Sequence, residues 1–369
     1  MACKTRERCH LTETAITPPG KEDPSCTLGH ALHYQGGIDL DSVDLTHEKI
    51  VRLCVPIPFP LRTVNMYALI GKDGWALIDA GMGTPEAREA FTIGLQHAKL
   101  SIDKLQAIVL THHHPDHIGL SGELQEQTGA AVYMHPIDEA AIQLIWSGAL
   151  PQRFGRVSRF FAQHGLPNTE LWVSKEDPKV MRHILRIPPH ETFTLVEDGD
   201  TIDLVGEQYR VIWTPGHSDG QICLFRESDG VFLSADHVLP RITPNIGLYS
   251  EHERPNPLDD YLRSLAKVAQ LPASIVLPGH GEPFRDLAGR TAEIIAHHEE
   301  REMQILRLVQ EQPQHAHRIT EQVFGNRLKN DEARRMAVAE VLSHLEYLRY
   351  KGKVEQQHTK DGFVLYAVV

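Results

Sequence analysis

The 369-residue sequence contains no run of apolar residues long enough to span a bilayer, which excludes a helical membrane protein. Its opening stretch, MACKTRERCHLTET, is charged and leads into no apolar segment, so a cytoplasmic rather than a secreted chain is expected. Cysteine is scarce and odd in number: Cys3, Cys9, Cys26, Cys54 and Cys223 are scattered, and suit reduced thiols better than a disulfide framework. Positive charge is short as well. The formal net charge is −12, and binding a polyanion requires clustered Lys and Arg, so nucleic acid is a disfavoured partner. No G-x-S-x-G elbow presents a nucleophilic serine, and there is no internal repeat or low-complexity tract. What is present is an ordinary balance of 41% apolar and 23% charged residues, in a chain long enough for a large core and a smaller appended unit. Histidine stands apart. Its 23 copies are enough to cluster by accident, so a metal site has to be argued from spacing.

Residues 1–40 mix Pro, Gly, Cys and charge without periodicity and read as an N-terminal extension. Over 41–290 short β-rich runs come first (KIVRLCVPI, TVNMYALIG, GWALIDAG), with Gly-Lys-Asp-Gly at 71–74 as a hairpin turn. Thr84 is placed to cap a helix over PEAREAFTIGLQHA, with Pro85 at its first position. From there strands and helices alternate, as in an α/β domain. Residues 136–190 break the rhythm with apolar and aromatic residues at helical spacing (Ile142, Leu144, Ile145, Trp146, Phe154, Phe160, Phe161), which fits either a packed helical pair or a lid over a site. Residues 291–369 read as helices followed by a terminal hairpin about a TKDG turn, with a short helix expected after ITEQVFG. That order is a winged-helix-like pattern.

The chemistry concentrates in His112-His113-His114-Pro115-Asp116-His117, directly after the apolar run LQAIVL. Alternation along an extended run puts His112 and His114 on one side and His113 on the other. The same arrangement, an apolar strand ending in a polar residue after a turn, recurs at His217, Asp236 and His280. Strand ends on one rim converge in space although they are far apart in the chain. Imidazole and carboxylate suit zinc, and also iron or manganese.

These residues resemble the H-x-H-x-D-H signature, and the later His, Asp and His, of the metallo-β-lactamase superfamily, over roughly residues 48–285. The resemblance implies an αββα sandwich carrying two metal ions, zinc first among the candidates. His112, His114 and His217 would hold one ion, Asp116, His117 and His280 the other, and Asp236 would bridge them. Asp79 would orient a metal-binding histidine from behind. With no cysteine among the ligands, the set is similar to the dinuclear branch that includes glyoxalase II, lactonases and nucleases. Two ions roughly 3.5–4 Å apart lower the pKa of a shared water from about 16 towards 7, so hydroxide would be the nucleophile and Asp116 its proton carrier.

A small ester or thioester, such as a CoA or glutathione conjugate, is the expected substrate. Lactones are less favoured, because lactonases of this family carry a tyrosine three residues after the bridging aspartate, and here that residue is Leu239. Tyr249, Arg241 and Arg254 are candidate substrate contacts in the segment that follows. A single-strand RNA endonuclease is the rival, since the order of domains resembles such a branch. Against it, residues 290–369 hold 12 basic and 12 acidic residues, without the positive excess that nucleic acid demands. The tail is instead expected to pack on the main domain or in a homodimer.

Overall fold

The computed structural model describes residues 49–146, 150–167, 184–250 and 254–369; the N-terminal extension read over 1–40, and residues 168–183 of the segment read as an insert, lie outside them. One sheet is built from β1 (Ile50–Pro56), β2 (Thr63–Ile70), β3 (Trp75–Ile78), β4 (Leu105–Val109), β5 (Ala131–Met134) and β6 (Phe193–Leu195), in chain order. Its first three strands are antiparallel and the rest parallel. A second sheet holds β7 (Thr201–Leu204), β8 (Glu207–Trp213), β9 (Ile222–Arg226), β10 (Val231–Ala235) and β11 (Ile275–Pro278), antiparallel except for the β10–β11 pair.

The strands are apolar on both sides because both sides are covered. Along β2, Val64, Met66 and Ala68 enter an outer core, while Tyr67 and Leu69 face the other sheet. Along β9, Ile222 and Leu224 face inwards and Cys223 and Phe225 outwards. The outer faces lie under helices. On the first sheet these include α1 (Pro85–Ala98), followed in the chain by α2 (Pro115–Ile118) and α3 (Ser121–Thr128). α4 (Pro136–Trp146) and α5 (Leu150–Gln163) come next, and on the second sheet lie α6 (Pro257–Val268) and the start of α7 (Leu287–Glu311). The result is an αββα sandwich. α1 forms where its signals fall: the Ala87 N–H donates to Thr84 Oγ1 at 3.2 Å, Pro85 opens the first turn, and Ala87, Ala90, Phe91 and Leu95 bury one face.

The C-terminal unit adds α8 (Ala316–Phe324), α9 (Asp331–Tyr350) and a hairpin of β12 (Val354–His358) with β13 (Val364–Val368). α8 runs through ITEQVF rather than after it, because the His315 ring accepts from the Arg318 N–H at 3.1 Å and Ile319 and Val323 share one buried face. Val157, Phe160 and Phe161 of α5 belong to the same core as Ile305, Leu342, Leu345 and Tyr366. Phe160 and Phe161 are therefore packing residues that join the insert to the C-terminal unit, not the face of a lid. Of the cysteines among the described residues, Cys223 is a free buried thiol and Cys54 is disulfide-bonded, which corrects the expectation of reduced thiols at Cys54. Among the described residues no helix is long and apolar enough to cross a membrane.

Where α7 crosses α9, two buried histidines meet: His298 Nδ1 donates to His344 Nε2 at 3.2 Å, while His344 Nδ1 donates to the Glu340 carbonyl at 2.9 Å. Burial, reinforced by their mutual repulsion, pulls His298 down to about 2; burial pulls His344 down to about 4. In the unfolded chain both take up protons near pH 6.5. Below that pH the unfolded state binds more protons, so stability is full above about 6.5 and falls as pH drops towards 4, by roughly 1 kcal/mol per unit for each ring. Thermal unfolding across pH 7.5 to 4.5 should show this fall, and a His298→Gln/His344→Gln double variant should flatten it. Equal slopes for the two proteins would refute the assignment.

Candidate metal centre

The sandwich brings strand ends to one rim. β3 ends beside Asp79, β4 leads to His112 and His114, β8 to His217, β10 to Asp236 and β11 to His280, while Pro115 turns the chain into α2 and presents Asp116 and His117. Three triads of ligand atoms, each within 4.8 Å, result: His112 with His114 and His217; His112 with His117 and Asp236; Asp116 with His117 and His280. Asp236 is central. Its Oδ2 lies 3.5 Å from His117 Nε2, 3.5 Å from His217 Nε2 and 3.4 Å from His280 Nε2. Asp116 Oδ2 is 3.4 Å from His280 Nε2 and 3.9 Å from His117 Nε2. Gly279 is obligatory in this packing, since a Cβ there would strike Asp236 Oδ1 and lie 3.0 Å from His117 Cε1.

Four rings are held from behind through Nδ1. His117 lies 2.7 Å from Asp79 Oδ2, His217 donates to the Asn245 carbonyl at 3.0 Å, and His280 donates to the Thr63 carbonyl at 2.6 Å. His112 Nδ1 lies 3.0 Å from Thr111 Oγ1, whose own hydrogen goes to Asp79 Oδ2 at 2.9 Å. Acceptors behind the rings fix the tautomer and leave each Nε2 with a lone pair for the cavity. His114 is the exception, its Nδ1 standing 3.1 Å from His112 Nε2. Asp79 holds its position with φ at 60°, a left-handed conformation that aspartate tolerates better than most residues. The loop of His280 is anchored by the first sheet: Asn65 Nδ2 donates to the Gly281 carbonyl at 2.7 Å and Tyr67 Oη to the Pro278 carbonyl at 2.8 Å.

The donor set fits divalent metal. His117 Nε2, His217 Nε2 and Asp236 Oδ1 are buried with no hydrogen-bond partner and belong to the clustered ligand atoms, where a cation would take their lone pairs. The electrostatics agree. Burial opposes charge on His280 and His117, yet the neighbouring carboxylates of Asp236 and Asp116, joined at His117 by Asp79, raise His280 to about 10 and His117 well above its ordinary value. Burial likewise opposes charge on Asp116, but His117 and His280 pull it to about 2. Protons on the imidazoles balance the carboxylates in the metal-free chain, and cations would displace them.

The remaining candidates fall elsewhere. His113 turns away from the cavity, its Nδ1 3.1 Å from Asp138 Oδ2. Burial pushes the Asp138 carboxyl up, but His113, Ser218 and Gly220 outweigh this and hold it at about 2. Arg254 is engaged by Asp260 at 2.7 Å and stacks over Trp213, so it is not a free cation for a substrate anion. Arg241 is exposed, and the Tyr249 hydroxyl donates to Asn245 Oδ1 at 2.8 Å, one residue removed from His217. Thr111, Asn245 and Thr63, which orient the ligands, carry no sequence signal, because two act through backbone carbonyls and the third is a common strand-end residue.

Together the sandwich and the histidine–aspartate rim define a metal-dependent hydrolase. The profile of the metallo-beta-lactamase superfamily matches residues 60–280, and that of the metallo-beta-lactamase-like C-terminal domain matches residues 303–369. The probable metallo-hydrolase YqjP of Bacillus subtilis (strain 168) is 30% identical over 311 residues, covering 82% of this chain and 93% of its own length. The crystal structure of a metallo-beta-lactamase family protein from Thermus thermophilus aligns with a TM-score of 0.76 at 36% identity, over 87% of this chain and 99% of its own. An atrochrysone carboxyl ACP thioesterase of Aspergillus fumigatus is 23% identical over 274 residues, 74% of this chain and 68% of its own length. The chain belongs to the metallo-beta-lactamase superfamily and is a hydrolase of that superfamily.

Proposed function

We propose that this protein hydrolyses a small ester or thioester, such as an acyl-CoA or a glutathione conjugate, at two divalent ions, zinc before iron or manganese. His112, His114 and His217 would hold one ion and Asp116, His117 and His280 the other, with Asp236 shared. The observation that carries the reading is the position of Asp236 Oδ2 between His217 of one triad and His280 of another, with buried nitrogens of His117 and His217 left unpaired. When bound, the ions supply Lewis acidity, which acidifies water and draws charge onto the acyl oxygen. The chain's own contribution is orientation and proton transfer. Asp79, Thr111, Asn245 and Thr63 hold the rings, and Asp116 takes a proton from the attacking water and passes it to the departing thiolate or alkoxide.

The thioester is favoured by the relative named as an acyl-carrier-protein thioesterase. A lactonase reading lacks support at Leu239, which is buried and has no hydroxyl to offer an acyl oxygen. RNA cleavage is disfavoured by the charge balance of the tail, which we read as a winged-helix-like module that packs rather than binds nucleic acid. Its α9 is tied to the loop after Asp236: the Leu248 N–H donates to the Ala339 carbonyl at 3.1 Å and Ser343 Oγ to the Ile246 carbonyl at 2.6 Å. A hydrolysis panel of acyl-CoA, acyl-glutathione, lactones and single-stranded RNA, run on metal-analysed protein, tests the reading. Thioester turnover should exceed the others. RNA cleavage as the fastest reaction would overturn it.

A further inference from the structure

We propose that Asp138 is a positioning residue for the metal centre, its carboxylate pinning the loop that carries His112 and His114 against the loop that carries His217. The inference rests on the two-ion reading above and adds a residue from a third segment of the chain.

Asp138 stands in the first turn of α4 and is wholly buried. Its Oδ2 accepts from the His113 backbone N–H at 2.9 Å and from Ser218 Oγ at 2.7 Å, and its Oδ1 accepts from the Gly220 N–H at 2.7 Å. His113 lies between two ligands and Ser218 directly follows a third. The bonds to His113 and Ser218 therefore fix the chain within one residue of a ligand, from the side opposite the cavity. These partners are 25 and 80 residues from Asp138 in sequence, so no local turn would create the arrangement. Gly220 is shaped for the contact: a Cβ there would lie 2.6 Å from the Asp138 backbone nitrogen and 2.7 Å from Oδ1. Burying a carboxylate is costly unless donors surround it, and an apolar residue would fill the same space at no such cost. Coupling two ligand loops that share no hydrogen-bonded strand pair gives the charge a purpose. β4 and β8 belong to different sheets; one backbone bond, from the Ile222 N–H to the Thr111 carbonyl at 2.9 Å, joins the rim there, and Asp138 adds the side-chain bonds that reach His113 and Ser218.

Asp138→Asn keeps the shape but turns one oxygen into a donor, which then faces either the donors of His113 and Ser218 or that of Gly220. In the full chain loaded with Zn²⁺, chelator competition should show one binding step weakened about 10–100-fold, the usual effect of removing an outer partner of a metal ligand. The weakened step should be the one that His217→Ala abolishes, with the other step within a few-fold of wild type. Ser218→Ala, which removes a single hydroxyl, should weaken the same step less and carries the test if Asp138→Asn does not fold. Leu95→Ala, a core change in α1 away from the rim, should lower the melting temperature without moving either step. The proposal is overturned if Asp138→Asn or Ser218→Ala titrates as wild type, if both steps weaken equally, or if Leu95→Ala reproduces the loss. A wild-type chain that binds a single Zn²⁺ would refute the two-ion reading instead. Asp138 is then still judged by whether its variants weaken that one step.

Discussion

Asp236→Ala should strip most of the divalent metal from both positions at once, from roughly two equivalents per chain to near none, and abolish hydrolysis with it. The expectation follows from where the carboxylate sits. One oxygen lies within 3.5 Å of the Nε2 atoms of His117, His217 and His280, so it stands between His217 of one triad and His280 of another. The other oxygen is buried without a partner. Removing the side chain leaves imidazoles facing one another across a space that no longer holds its central negative charge. The raised pKa of His280, which Asp236 supports ahead of Asp116, should also fall in the metal-free variant, because one of the two carboxylates 3.4 Å from its Nε2 is gone. Elemental analysis of protein purified without added chelator or metal is the measurement. Wild-type metal content in Asp236→Ala, or full activity in a metal-free wild-type preparation, would defeat the reading.

The candidate ligands that follow strands were readable in the sequence because their placement obeys a rule that needs no tertiary knowledge. An apolar run long enough for a strand ends, a turn follows, and a polar side chain comes next; β4, β8, β10 and β11 all repeat it. The double-sided burial of the strands was readable as well, since MYALI and ICLF are continuous apolar runs rather than alternating ones. What lay beyond reach was everything that depends on which segments meet. His217 is oriented by the carbonyl of Asn245 and His280 by that of Thr63, and a carbonyl is supplied by any residue type. Phe160 and Phe161 announce a buried face by their spacing, yet spacing does not say that the C-terminal unit covers it. Arg254 looks like a cation waiting for substrate until Asp260, six residues on, is found to occupy it. Asp138 gave no signal at all, because an acidic residue in the first turn of a helix is usually there for the helix dipole.

The second large effect is expected at Asp116. Asp116→Asn should lower kcat by about 10²–10⁴-fold with KM changed only a few-fold, a loss of about 3–5 kcal/mol of transition-state stabilisation. Asparagine preserves the size of the side chain and one coordinating oxygen, but it neither accepts nor returns a proton. The aspartate is suited to that task by its surroundings. It is buried on the first turn of α2 beside His280 and His117, which pull its pKa to about 2 in the metal-free chain, so at neutral pH it is a carboxylate with a lone pair for a proton, not an acid. Ligation and proton transfer are separable by experiment. If Asp116 served only to hold metal, the variant would lose an equivalent, and excess Zn²⁺ would restore turnover. If it moves the proton, metal content stays close to wild type and added Zn²⁺ restores nothing. Leaving-group dependence sharpens the distinction: a thioester departs as a weakly basic thiolate and needs less proton assistance than an alkyl ester, so the variant should lose more on esters than on thioesters. Equal losses on both, or a rise in KM with kcat unchanged, would remove Asp116 from the proton path and leave it as a ligand.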